Sequence, residues 1–142
     1  MSKYLSIIGA ALLLGAASCQ DKDEAPAAPK LEGSWTHEST TQYSYDAGGR
    51  LVSTKGPEPF PIPYRLDITA DSIFIVITSP PVYKASAKGY KRQGNNLIYA
   101  HNPVSVEIKE LTAHTLVLYT KGPPAYGTII PYQIDEEERF TR

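Results

Sequence analysis

The chain predicts an all-β domain, an antiparallel up-and-down β-barrel of about eight strands. Three observations carry that prediction. Apolar residues recur at every second position over several short segments. Turn residues punctuate those segments at intervals of about 8–12 residues. No window after Leu31 keeps a helical period. Segments this short leave no room for crossover helices, so consecutive ones pair as hairpins. Such a meander removes its edges by closing on itself.

The first strand opens at Gly33. Unbroken alternation places Trp35, His37, Ser39, Thr41, Tyr43 and Tyr45 on one face. Asp46-Ala47-Gly48-Gly49 turns the chain. Tyr64-Leu66-Ile68 then alternates with Arg65-Asp67-Thr69, one face toward a core and the other toward water. Residues 72–78, SIFIVIT, are apolar on both faces and are expected to be the most buried strand. In the fifth strand, residues 82–93, one face carries Tyr83, Ala85, Ala87 and Gly89. Lys84 and Lys88 lie on its outward face, with Lys91 and Arg92 beyond. Further strands are expected at 96–101, 104–109, 115–121 and 126–134. The acidic run Asp135-Glu136-Glu137-Glu138 reads as a solvated turn before a last strand.

One segment breaks the rhythm. In PEPFPIP, prolines stand at 57, 59, 61 and 63, so one edge of an extended chain has no N–H donors. It reads as a stiff loop across the end of the barrel, or as a recognition element presenting Phe60 and Ile62; the loop is the preferred reading.

The amino terminus has a different grammar. Lys3 gives a positive start, residues 4–17 carry no charge, and Gly15, Ala16, Ala17 and Ser18 are small. The uncharged run is shorter than the about 20 residues a spanning helix needs. Residues 1–18 therefore read as an export signal. Residues 20–30, QDKDEAPAAPK, are charged and proline-bearing with little apolar surface, which suits a flexible tether. The division expected is signal 1–18, cysteine and tether 19–30, and barrel 31–142.

Ala16-Ala17-Ser18-Cys19 resembles the lipobox of bacterial lipoproteins, although their usual leucine is Ala16 here. The resemblance implies cleavage before Cys19 and acylation of its thiol. Two or more acyl chains anchor a protein stably where one does not. Asp21, Lys22, Asp23 and Glu24 resemble the acidic signal that sends lipoproteins of the Bacteroidetes to the outer face of the outer membrane. Cys19 is the only cysteine in 142 residues. Once it is lipidated, no disulfide or thiolate metal site remains.

Leu31-Glu32-Gly33-Ser34-Trp35 extends the resemblance. Gly-x-Trp on the first strand of a meander is similar to the opening motif of lipocalins and of bacterial lipocalin-like lipoproteins. The likeness implies that Trp35 closes the barrel floor and that a basic residue of the last strand, Arg139 or Arg142, packs across it. Gly33 and Trp35 are the matching positions.

Catalytic signatures are missing from the sequence. His37, His101 and His114 show no metal-ligand spacing, and no phosphate loop, nucleophile elbow or His-Glu-x-x-His motif occurs. No enzymatic role, cofactor or metal is expected. The net charge of −1 gives no basic excess for nucleic acid. Eight strands enclose a space that side chains fill or that holds one small ligand. Two functions follow. One is an envelope-anchored monomer binding a small hydrophobic or amphipathic ligand, with His37, Tyr43, Tyr45, Tyr64 and Tyr83 as contact residues. The other is a filled barrel serving as an accessory subunit to an envelope protein.

Overall fold

The computed structural model describes residues 28–100, 105–125 and 131–142. The expected signal, Cys19, most of the expected tether, His101 and the expected strand start at Tyr126 lie outside the described residues. Nine strands are described: β1 (Gly33–Tyr45), β2 (Leu51–Glu58), β3 (Tyr64–Ile68), β4 (Ser72–Ile77), β5 (Tyr83–Gln93), β6 (Asn96–Tyr99), β7 (Ser105–Leu111), β8 (Thr115–Thr120) and β9 (Gln133–Thr141). All pairings are antiparallel, and β9 returns to pair with β1. No helix among the described residues is long and apolar enough to cross a membrane.

Nine strands make an eight-stranded barrel because β2 and β3 share one edge of β1. The upper half of β1 pairs with β2, from Thr40 opposite Glu58 to Tyr45 opposite Leu51. Its lower half pairs with β3, from Gly33 opposite Ile68 to Thr36 opposite Arg65. β2 and β3 are thus two halves of one strand, interrupted by residues 59–63. The prolines explain the break, since they cannot supply ladder donors. The expected loop across the barrel's end lies instead in the wall, between these halves.

The β1–β2 hairpin is built locally. The Asp46 carboxylate accepts hydrogen bonds from the backbone N–H of Gly48 and Arg50, at 3.0 and 2.9 Å. Gly49 takes φ +77°, which suits glycine.

Several strands follow the sequence pattern. In β3, Tyr64, Leu66 and Ile68 are buried while Arg65 and Asp67 face outward and pair at 2.9 Å. The core joins Leu31, Trp35, Leu97, Leu116 and Phe140, all essentially inaccessible, to Leu66, Ile68, Ile73 and Ile108. Burying each such side chain contributes about 1.5–3 kcal/mol.

Other expectations are corrected. β4 is not the most buried strand; only Ile73 and Val76 are fully covered, while Ile75 and Ile77, which line a hollow, are partly exposed. β8, with Leu116, Val117 and Leu118 all buried, is more enclosed. The acidic run belongs to β9 itself, not to a preceding turn. Pairing with β1 and β8 supplies ladder partners on both sides, so the chain stays extended through the carboxylates.

Candidate functional site: a floored hollow in the barrel

The floor of the barrel is a clasp around Trp35. The indole Nε1 donates to the Leu31 carbonyl at 2.8 Å. The Arg142 guanidinium carbon lies 3.9 Å from the ring centroid. Its nitrogens donate to three backbone carbonyls, those of Ala113, Glu32 and Lys30, at 2.9–3.0 Å. Gly33 makes the approach possible: its φ is +131°, and a Cβ there would lie 2.9 Å from Arg142 Nη1. Of the two basic residues expected at the floor, Arg142 takes the place. Arg139 points outward and meets Glu110 at 3.4 Å.

Above the floor the barrel is hollow. The cavity measures about 460 Å³ and has Leu66, Ile73, Ile75, Val106 and Leu118 on its apolar wall. Its volume falls within the about 300–1,000 Å³ of small-molecule sites. Tyr64, Tyr99, Lys88, Glu136 and Glu138 supply polar groups to the same space. Phe60, from the segment that interrupts the strand, also lines it. A second hollow of about 230 Å³ lies beside β2, bordered by Phe60, Thr40, Gln42, Lys55, Glu58 and the same two glutamates.

An aromatic cluster joins the floor to the hollow. The His37 ring stacks on Tyr64 at 4.6 Å between centroids, with Phe140 edge-on at 5.4 Å and Phe60 at 6.2 Å. His37 Nε2 is hydrogen-bonded to Thr40 Oγ1 at 2.9 Å. Burial holds the imidazole below its ordinary pKa, with nearby Glu38 pulling weakly the other way.

The polar wall is strand β9. Glu136, Glu138 and Phe140 share the inner face at two-residue spacing. Tyr64 Oη donates to Glu138 Oε1 at 2.5 Å, and Gln42 Nε2 donates to Glu136 Oε1 at 2.9 Å. Burial pushes the Glu138 carboxyl up; the Tyr64 hydroxyl opposes this, Glu136 reinforces it, and Lys88 opposes it. Burial also raises Tyr64, together with the adjacent Glu138, and raises Tyr99 to about 12. Both phenols therefore stay protonated donors at neutral pH. Among the described residues no ion pair within 4 Å involves Lys88, whose Nζ lies 5.4 Å from the Tyr99 ring centroid.

On the outer face of the same strand, Asp135 is only 3% exposed. It accepts hydrogen bonds from Tyr119 Oη, the Gly122 N–H and Gln133 Nε2. Burial alone would raise its carboxyl, yet these donors outweigh burial and hold it below its ordinary value. It latches β8 and β9 together outside the hollow.

The sequence-predicted contact residues divide. Tyr64 lines the hollow, and His37 stacks on it without being one of the lining residues. Tyr43 and Tyr45 stand on the outer face, where Tyr43 neighbours Tyr119 at 6.5 Å. The cause is a bulge: His37 pairs with Phe140 and Ser39 with Arg139, leaving Glu38 extra and reversing every side chain beyond it. Thr40 and Gln42 therefore face inward in place of Ser39, Thr41 and Tyr43. Ala85 is likewise extra in β5, because Ser86 pairs with Ile75 and Lys84 with Val76. That turns Lys88 inward, away from the expected basic strip, while Lys84 stays outside over Phe74. Tyr83, opposite Ile77 at the start of β5, is 55% exposed and is not among the residues lining the hollow.

Glu136, Glu138 and Tyr99 were missed by sequence reasoning; Phe60 was read there as part of a loop or recognition element, and Lys88 as an outward basic residue. A signal was available for two of them, since Glu136 and Glu138 lie in phase with apolar Phe140. Among the described residues no three His, Cys, Asp or Glu side chains are placed to hold a metal.

No protein-family model matches this chain, and no curated protein does. Among solved structures it is similar to the bovine lipocalin allergen Bos d 2. The two share 15% identity with a TM-score of 0.45, over 78% of this chain and 71% of that one.

Proposed function

We propose that this protein is a non-catalytic, lipocalin-like binding protein that holds one small hydrophobic or amphipathic molecule in its barrel. The supporting observation is the 460 Å³ hollow, apolar over most of its wall and polar along β9. A barrel filled by its own side chains would suit an accessory subunit better. Leu66, Ile73, Ile75 and Leu118 instead border open space. Tyr64 lines this binding site, and His37 supports it from behind by stacking on the Tyr64 ring. Sequence alone supports anchoring to the outer membrane through lipid on Cys19, with the barrel carried outside on the tether.

Native mass spectrometry of the full-length protein tests the carrier reading. The expected result is a reproducible bound mass that disappears when Leu118→Trp or Ile75→Trp fills the hollow of a folded variant. A protein that carries no mass and takes up no apolar probe refutes it. Anchoring has a separate test: Cys19→Ala should release the protein from membranes and abolish fatty-acid labelling.

A further inference from the structure

The carboxylates of the main hollow stand at one place, and that place is where its two chambers meet. Glu136 and Glu138 line both the 460 Å³ apolar cavity and the 230 Å³ polar one, and Phe60 stands at the same junction. Each carboxylate is held by the barrel through Oε1 alone, by Gln42 and by Tyr64 respectively. Among the described residues no donor reaches the Oε2 atom of either. The pair is therefore oriented, with one acceptor apiece unused.

Charge gives the sign of what they accept. Two carboxylates and one ammonium, Lys88, enter the main hollow, leaving one negative charge in excess. A partly buried charge without a counter-charge carries part of the cost of desolvation, and a ligand that neutralises it recovers that cost. We infer that the ligand is an amphipathic primary or secondary amine. Its cationic nitrogen sits between Glu136 and Glu138, and its hydrocarbon body lies along Leu66, Ile73, Ile75 and Leu118. This inference rests on the carrier reading of the same hollow.

The competing chemistries fit less well. An anion in the main hollow would face both glutamates, with only Lys88 there to attract it. A neutral alcohol would satisfy the acceptors but leave the charge unpaired. A divalent cation needs about six oxygen ligands, and the surrounding wall is hydrocarbon. Placement agrees with charge. The carboxylates lie where apolar space gives way to the side chamber bordered by Thr40, Gln42, Lys55 and Glu58. An amphipathic amine lying across that boundary keeps its head toward polar groups and its tail away from them.

Isothermal titration of the full-length protein with octylamine, octan-1-ol and octanoate at pH 7.5 tests this. The three probes share a tail and differ in head charge. A charge-assisted hydrogen bond predicts octylamine binding about ten-fold or more tighter than octanol, and octanoate binding weakest. The double variant Glu136→Gln, Glu138→Gln should bring octylamine down to the octanol level while octanol binding holds. If circular dichroism shows the double variant unfolded, Glu136→Gln alone serves, with about a three-fold or greater loss expected for the amine only. Lys88→Met should tighten amine binding by removing a like charge. Equal binding of octylamine and octanol, or preference for octanoate, overturns the amine inference and leaves the carrier reading standing. Binding of none of the three, with no bound mass by native spectrometry, overturns both.

Discussion

The floor of the barrel and the hollow above it treat polar groups in opposite ways. At the floor, Trp35 and the Arg142 guanidinium are matched to fixed backbone carbonyls within 3.0 Å. In the hollow, Glu136 and Glu138 are each matched on one oxygen and open on the other. A saturated set of partners makes a stable joint. A half-saturated set in an apolar wall costs stability and leaves capacity for a ligand. Strand β9 repeats the contrast across its own thickness, with Asp135 outside satisfied by three donors and Glu138 inside by one.

Removing the floor should have the largest effect. Trp35→Ala empties a fully buried site and is expected to cost about 3–5 kcal/mol in urea denaturation. A small loss would show that the two ends are not energetically distinct. Asp135→Ala, which strips the acceptor from three donors, should cost about 1–3 kcal/mol. Its sign with pH is defined by its depressed carboxyl. The contribution is complete above the ordinary value near 3.8 and is lost as pH falls through the lower folded value. Wild type and variant should therefore converge in strong acid.

Arg142→Ala and Gly33→Ala disturb the clasp without emptying it, and each should cost about 1–2 kcal/mol. Both should leave relative affinities for bound molecules unchanged; a shift in selectivity would join floor and hollow into one site. The smallest effect belongs to Glu138→Gln, within about 1 kcal/mol of wild type. The folded protein holds the Glu138 proton to higher pH than the unfolded chain does. Wild-type stability is thus full below the ordinary value near 4.5 and declines as pH rises toward the raised folded value. Glutamine should flatten that decline, measured as the urea midpoint between pH 4 and 8.

Legibility in the sequence followed the range of the interactions involved. Tyr64-Leu66-Ile68 and Val106-Ile108 announced their faces because burial on one side of a ladder imposes a period of two. Trp35 and a terminal arginine were also readable, though choosing Arg142 over Arg139 needed to know which one shares a face with Phe140. The bulges at Glu38 and Ala85 were not readable, since an extra residue is defined only by the register of the partner strand. They moved Tyr43 out of the site and Lys88 into it. Glu136 and Glu138 looked like a solvated turn because carboxylates are seldom buried unpaired. Their partners Gln42 and Tyr64 lie 94 and 74 residues away in sequence.

The split strand has a consequence for how such a barrel can change. β2 and β3 are each registered on β1 independently, so residues 59–63 form a splice whose ends are held by someone else's ladder. Length or composition there can vary without shifting a single strand pair. Phe60 rides on that splice and borders both chambers, so variation confined to five residues would alter the shape of the hollow while its floor stays the same. A library built at 59–63 should therefore yield altered ligand preference at nearly constant urea midpoint.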